Sequence, residues 1–229
     1  MQEFFTQAAD TLSYVGLLMP SLLQGALVTV RLFVWTLLLS IPLGLPFALG
    51  SNSRFFPVRW LCKGYIWIFR GTPLMLQLFF FYFFLPITLN ITLDEFTTAV
   101  VTFVLNYAAY FAEIYRAGIE SIDKGQYEAA KSLGIGPQRT MFGIIIPQTI
   151  KRVLPPVSNE AITLIKDTAL VSVISVAELM KAAKGAVNRD VNVTAYAIAA
   201  IIYLVFTFLL TMLSRYLEKR FSRHEQKGV

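Results

Sequence analysis

A chain of 229 residues that is 56% hydrophobic and only 15% charged, with mean hydropathy +0.61, is too poor in charge for an ordinary soluble domain, where about 25% of residues are charged. Its one cysteine, Cys62, excludes an internal disulfide, and with the single histidine, His224, it argues against a thiolate or imidazole metal site. The formal net charge of +6 comes with no soluble basic recognition element, so no nucleic acid partner is expected; it reads as membrane topology and contact with anionic lipid headgroups.

Residues 1–10 contain Glu3 and Asp10 but no Lys or Arg, so they do not read as a signal peptide, whose first part is basic. Beyond them, charge-free runs cover residues 32–53, 71–93, 96–112 and 191–214, or 22, 23, 17 and 24 residues. A helix crosses a bilayer with roughly 20 apolar residues. Backbone groups cannot stay unpaired in lipid and the alternation of barrel strands is absent, so four spanning helices are predicted. Residues 153–180 are mostly apolar but hold Glu160, Lys166, Asp167 and Glu178. They read as a further span with its charges turned to the bundle interior, or as a buried helix that never meets lipid. The expected fold is therefore an all-α membrane protein with five transmembrane helices.

Basic residues mark the cytoplasmic side. They fall in the first loop (Arg54, Arg59, Lys63), in the long third loop (Arg116 to Arg152) and in the tail (Arg215 to Lys227), while the loop around residues 90–95 has none. This puts the N-terminus outside and the C-terminus inside. Lys181, Lys184 and Arg189 are the exception to the bias.

One soluble-looking stretch interrupts the apolar chain: EAAKSLGIGPQRTMFGIIIP, residues 128–147. Residues 121–132 read as a short helix, which Gly134 and Gly136-Pro137 end and turn. The apolar residues 141–146 then climb back toward the membrane and Pro147 restarts the helix. A loop that only links two spans needs no such bracket. Either a soluble partner docks on it, or an amphipathic helix rests on the headgroups.

Glu128-Ala129-Ala130, then Gly134, then Ile144-Ile145-Ile146-Pro147 resembles the EAA loop of the membrane subunits of ATP-binding-cassette importers. RGTPLMLQ at 70–77, NYAAYFAEIYRAGI at 106–119, SIDKGQYEAAKSLG at 121–134, IIPQTIKRVLPP at 145–156 and NEAITLIKDTALVSVI at 159–174 are similar to the polar amino acid uptake branch. The resemblance runs from about residue 21 to about residue 217. It implies a type-1 transmembrane domain over 21–217 with a coupling loop at about 120–140, an extracytoplasmic segment at 1–20 and a cytoplasmic tail at 218–229. It further implies a multi-pass protein of a bacterial inner membrane, with Glu128, Ala129, Ala130 and Gly134 coupling to a separate ATPase dimer that binds ATP and magnesium. The implied partners are a second permease subunit, identical or a sister chain, and an extracytoplasmic amino-acid-binding protein landing on Asp94, Glu95, Lys181, Lys184 and Arg189. No GxxxxGK[ST] occurs in the chain, so it has no phosphate-binding loop of its own. No catalytic residue and no cofactor are expected in it. Glu128 is expected to cap or orient the first coupling helix, and Gly134 to permit the turn.

Polar residues within spans are the candidates for a substrate pathway, against the reading that they only bond helix to helix. Asn106, Tyr110 and Glu113 share one face of the third span, with Glu113 read as an ion-pair partner of Arg116. Asn159, Glu160 and the Lys166-Asp167-Thr168 interruption offer both charge signs to a zwitterion. Arg70-Gly71-Thr72-Pro73 reads mainly as a helix start, with Thr72 and Gln77 within reach of the pathway. The FFFYFF run at 79–84 reads as packing and lipid-facing surface. A self-sufficient secondary transporter would show paired internal repeats, and none is found. A scaffold or receptor without transport leaves the charges at 166–167 unexplained. No arrangement supports an enzyme.

Overall fold

The computed structural model describes residues 2–222, with side-chain surroundings for 13–221. His224, Arg223 and Lys227, and the side chains of Glu3 and Asp10, lie outside those residues. Among the described residues the chain is helical throughout, with no strand. Helix α1 runs Gln2–Ser51, α2 Phe56–Gly71 and α3 Leu74–Phe79; a π turn Phe80–Phe84 leads into α4 Leu85–Leu89. Then come α5 Glu95–Glu120, α6 Lys124–Ser132, α7 Pro137–Thr140, a second π turn Met141–Ile145 and α8 Ile146–Asp167. A 3-10 segment Thr168–Ile174, α9 Leu179–Asp190 and α10 Thr194–Ser222 complete the chain.

Among the described residues three helices are long and apolar enough to cross a membrane: Ser13–Ser51, Glu95–Glu120 and Thr194–Phe221. The pair Phe56–Gly71 and Leu74–Leu89, bent by 107°, makes a fourth if it is taken as one broken span. Three differences from the sequence expectation stand out. The first helix begins well before residue 32, because Arg31 sits on its exposed side and does not end it. Of the loop expected at 54–63, residues 56–63 form the first half of α2. The mixed stretch 153–180 is divided between α8, the 3-10 segment and α9. Residue 20 falls inside α1 and residue 217 inside α10.

Each π turn stands just ahead of a proline, Pro86 and Pro147. A proline has no N–H for the carbonyl four residues back and its ring crowds that carbonyl. Widening the turn relieves both, and the Ile146 amide bonds Met141 five residues back.

The chain divides into two compact units. One takes residues up to Trp35, Met75–Thr102 and Thr163–Leu209. Its core joins Leu18, Leu22 and Ala26 of α1 to Leu179, Ala183 and Ala186 of α9, and to Ala195 and Ala199 of α10. At its centre is Glu178, fully buried. Its carboxylate caps α9 by accepting from the Met180 and Lys181 amides at 2.8 and 2.7 Å, and it accepts from the Tyr203 hydroxyl at 2.9 Å. The Thr29 hydroxyl accepts in turn from the Leu179 amide at 3.2 Å. At the far end of α9 the Tyr14 hydroxyl donates to Asp190 at 2.8 Å. Arg189, and after it Tyr14, hold the Asp190 carboxyl down to about 2.

The other unit takes Thr36–Leu74, Phe103–Ile162 and the chain from Leu210. Ala48 of α1, Ile66 of α2 and Ala112 of α5 form a core flanked by Phe47, Tyr65 and Tyr115. Small residues let these helices approach closely. The Tyr115 hydroxyl donates to the Ile41 carbonyl of α1 at 3.1 Å, and Tyr65 donates to the Leu105 carbonyl of α5.

Replacing Glu178 with alanine removes the α9 cap and the acceptor of the Tyr203 hydroxyl. The expected loss is about 2–3 kcal/mol, or a melting temperature lower by about 5–10 °C, read by intrinsic fluorescence in detergent. Tyr203→Phe, which leaves the cap intact, is expected to cost about a third of that.

Candidate functional site

The stretch 121–147 is a bracket built from three local rules. Asp123, an ordinary N-cap residue, starts α6 by accepting from the Gly125 amide at 2.6 Å. The capping role expected for Glu128 therefore belongs to Asp123; Glu128 sits mid-helix, exposed. At the other end, Gly134 has φ +68. Its amide bonds the Lys131 carbonyl at 3.0 Å and the Ile135 amide bonds the Ala130 carbonyl at 2.9 Å. This pair of bonds is a Schellman closure, which calls for a left-handed residue at the turn and an apolar contact across it. Ala130 is buried and Ile135 half-buried, which gives Ala130 its role: a small residue over which the turn folds. Gly136-Pro137 then begins α7.

Both flanks of the bracket are tied to each other. Arg152 of α8 donates to the Ser121 carbonyl. The Gln148 amide donates to Gln126 at 3.3 Å. Where α5 meets α8, a Cβ on Gly118 would collide with Val153. The outer side stays open: Glu128, Ala129 and Gly134 are exposed, and Leu133, an apolar side chain, is 78% exposed. Leu133 escaped the sequence reading; the exposed residue at the cap of a Schellman turn is the signal that finds it.

The pathway candidates fall in both units. In the unit holding α5, Asn106 is buried and its amide donates to the Phe69 carbonyl at 3.1 Å. The Arg70 guanidinium lies 5.4 Å from the Tyr110 ring, and its Nη1 is 3.7 Å from Glu113. Glu113 pairs with Arg116, Nε to Oε2 at 2.9 Å, as the i, i+3 spacing predicted. Thr72 donates to the Ile68 carbonyl at 2.8 Å. Asn159 is exposed and Glu160 half-buried. In the other unit, Gln77 is buried, Lys166 exposed and Asp167 half-buried at the end of α8. The Thr168 hydroxyl, fully buried, donates to the Ile165 carbonyl at 2.7 Å, so it steadies the change from α-helix to 3-10 helix. The structure thus brings Asn106, Tyr110 and Glu113 together on Phe69 and Arg70. Among the described residues no three His, Cys, Asp or Glu side chains are grouped to hold a metal ion.

A spanning bundle with a bracket of this shape has known counterparts. Residues 40–223 match the model of the binding-protein-dependent transport system inner membrane component. The chain belongs to that family. It is 41% identical over 210 residues to the L-cystine transport system permease protein TcyB of Bacillus subtilis, covering 91% of this chain and 89% of that one. It is 39% identical to the arginine transport system permease protein ArtQ of the same organism, covering 90% and 94%. It is 35% identical to the putative glutamine transport system permease protein GlnP of Rickettsia typhi, covering 87% and 92%. Among solved structures, an amino acid ABC transporter with histidines superposes with TM-score 0.86 at 37% identity, over 91% of this chain and 97% of that one. The inward-facing MetNI methionine ABC transporter, at 15% identity and TM-score 0.70, shares the fold.

Gly134→Ala places a Cβ in the left-handed region at a cost of about 1 kcal/mol. The amides of residues 134 and 135 are expected to exchange with solvent about 5-fold faster with little change in melting temperature, which hydrogen exchange with peptide mass analysis reads directly.

Proposed function

We propose that this permease-family chain is the translocation subunit of an ATP-driven importer of polar amino acids, working in a dimer and coupled through its EAA loop to a separate ATPase. The observation that carries the reading is the bracket: a helix closed at both ends, tied across its flanks, with an open outer side and an exposed leucine. A segment resting on headgroups needs no such ties. An exposed apolar side chain on a rigid polar helix is the form a docking anchor takes. Glu128 and Ala129 flank that anchor on the open side, Ala130 and Gly134 shape the turn beneath it, and ATP and magnesium belong to the partner.

The names of the relatives, transport systems for cystine, arginine and glutamine, support a polar amino acid as cargo. Asn106, Tyr110, Asn159, Glu160, Lys166, Asp167, Thr168, Thr72 and Gln77 remain the proposed pathway residues. Five spans follow if α2 to α4 count as one and α8 as another; 22 residues make a helix about 33 Å long, enough to cross. With the N-terminus outside, the bracket faces the cytoplasm and α9 faces outward, where Lys181, Lys184 and Arg189, with Asp94 and Glu95, form the landing surface for a binding protein. Four or five spans enclose no path alone, so a second permease subunit, identical or a sister chain, closes it. Residues 21–217 constitute the transmembrane domain of a multi-pass bacterial inner-membrane protein, between a short outer segment and an inner tail.

The test is a mild-detergent pull-down of the tagged chain from native membranes, with uptake and ATP hydrolysis measured on the recovered complex. A P-loop ATPase is expected to copurify. Leu133→Gln is expected to weaken its retention about 10-fold or more, and Glu128→Ala to lower uptake per ATP hydrolysed while the complex survives. Recovery of the chain without an ATPase, under conditions that keep known importers intact, rejects the reading.

A further inference from the structure

Three polar residues on one face of α5 meet the end of α2, two of them at the Arg70 side chain and one at the Phe69 carbonyl before it. Asn106, 4% exposed, bonds the Phe69 carbonyl; Tyr110 lies against the Arg70 guanidinium; Glu113 lies 3.7 Å from its Nη1. An arginine within a span is costly to hold, and here it is held in place. Its ion pair with Glu113 is a long one that makes no hydrogen bond. The Glu113 carboxylate accepts from Nε and Nη2 of Arg116, and Arg116 also pairs with Glu120. The acids and Arg116 close among themselves, while 3.7 Å is beyond hydrogen-bond range. The tyrosine ring covers one face of the Arg70 guanidinium and leaves its edge, where the five N–H donors lie. The side chain is 39% exposed. It also stands where the chain bends by 107° between two helices, and interrupted helices are where transporters expose groups that bind cargo.

We propose that Arg70 receives the α-carboxylate of the transported amino acid, positioned for it by Tyr110 and Asn106. The inference rests on the translocation reading above and adds the group by which the path recognises amino acids as a class. A planar guanidinium fork matches a carboxylate bidentately, and every amino acid carries that carboxylate whatever its side chain. Asn106 and Tyr110 thereby become positioning residues, and Arg70 the residue that touches cargo.

The experiment uses the chain with the subunits that copurify with it, in lipid nanodiscs and without a binding protein. Radiolabelled L-arginine, L-glutamine and L-cystine are each bound and then competed with their own α-carboxamides. The parent is expected to prefer at least one acid over its amide by about 10- to 100-fold, the range of a charge-assisted bond. Arg70→Gln is expected to bring that ratio near one while amide binding changes little. Arg70→Lys, which keeps the charge but not the fork, is expected to retain part of it, and Tyr110→Leu to lower it several-fold with Arg70 still present. An unchanged ratio in Arg70→Gln, or equal loss of acid and amide binding, overturns the proposal. If Arg70→Gln does not assemble, parent ratios in both Arg70→Lys and Tyr110→Leu overturn it instead. A parent that binds none of the three amino acids sinks the translocation reading and this proposal with it; a parent that binds them with an Arg70-independent ratio sinks this proposal alone.

Discussion

In hydrocarbon a backbone carbonyl has only protein to bond with, and the interruptions in these helices are shaped by that constraint. Pro86 and Pro147 each take an N–H from the ladder, and each is preceded by a π turn. At the end of α2 the Asn106 amide takes the Phe69 carbonyl. After α8 the chain tightens into 3-10 turns, steadied by Thr168 and ended by Ser175 at φ 70, whose amide bonds Ser172. Polar side chains gather at these places because an opened helix presents dipoles that need partners.

The bracket shows what such local closure gives mechanically. A loose loop between α5 and α8 would absorb a displacement in its own dihedrals. Here the Arg152 bond to Ser121, the Gln148 bond to Gln126 and the Gly118 contact with Val153 remove that slack. Each hydrogen bond is worth only about 1 kcal/mol, but together the ties hold α8 to α6 and to the end of α5. Ala130 serves the same end: a larger side chain at that position would hold the Schellman turn away from its own helix.

How legible this was depended on the kind of signal. Long charge-free runs marked α5 and α10 well, because such runs are a direct cost of burial in lipid. They marked α1 and α2 badly. Arg31 lies on an exposed side and interrupts the charge count without interrupting the helix. α2 carries charges beside its buried Cys62 and Ile66, with Arg59 half-buried and Lys63 exposed, so its charges disguised it as a loop. The Glu113–Arg116 pair and the Gly134 turn were readable because both obey local spacing rules. Glu178 was not: glutamate is no favoured N-cap, and its tie to Tyr203 joins residues far apart in sequence. Asp123 was readable in principle as an aspartate just before a helix, but Glu128 in the EAA stretch drew the capping role to itself.

Helix α5 is the element on which these strands meet. It carries Asn106, Tyr110 and Glu113 along one face and runs on through Gly118 into the bracket. Tyr110 and Ser121 are eleven residues apart, about 16 Å along a helix axis, with no proline between them to act as a joint. A helix of that length moves as a rod. Arg70 does not ride on it: it belongs to α2, and reaches α5 only through a ring contact, an amide bond one residue away and a long ion pair. Tyr110 and Glu113 on α5 keep their setting against Arg70 of α2 through the packing of Ile66 on Ala112 and the Tyr65 bond to the Leu105 carbonyl. An ion pair at 3.7 Å and a cation over a ring are contacts whose strength changes steeply with distance.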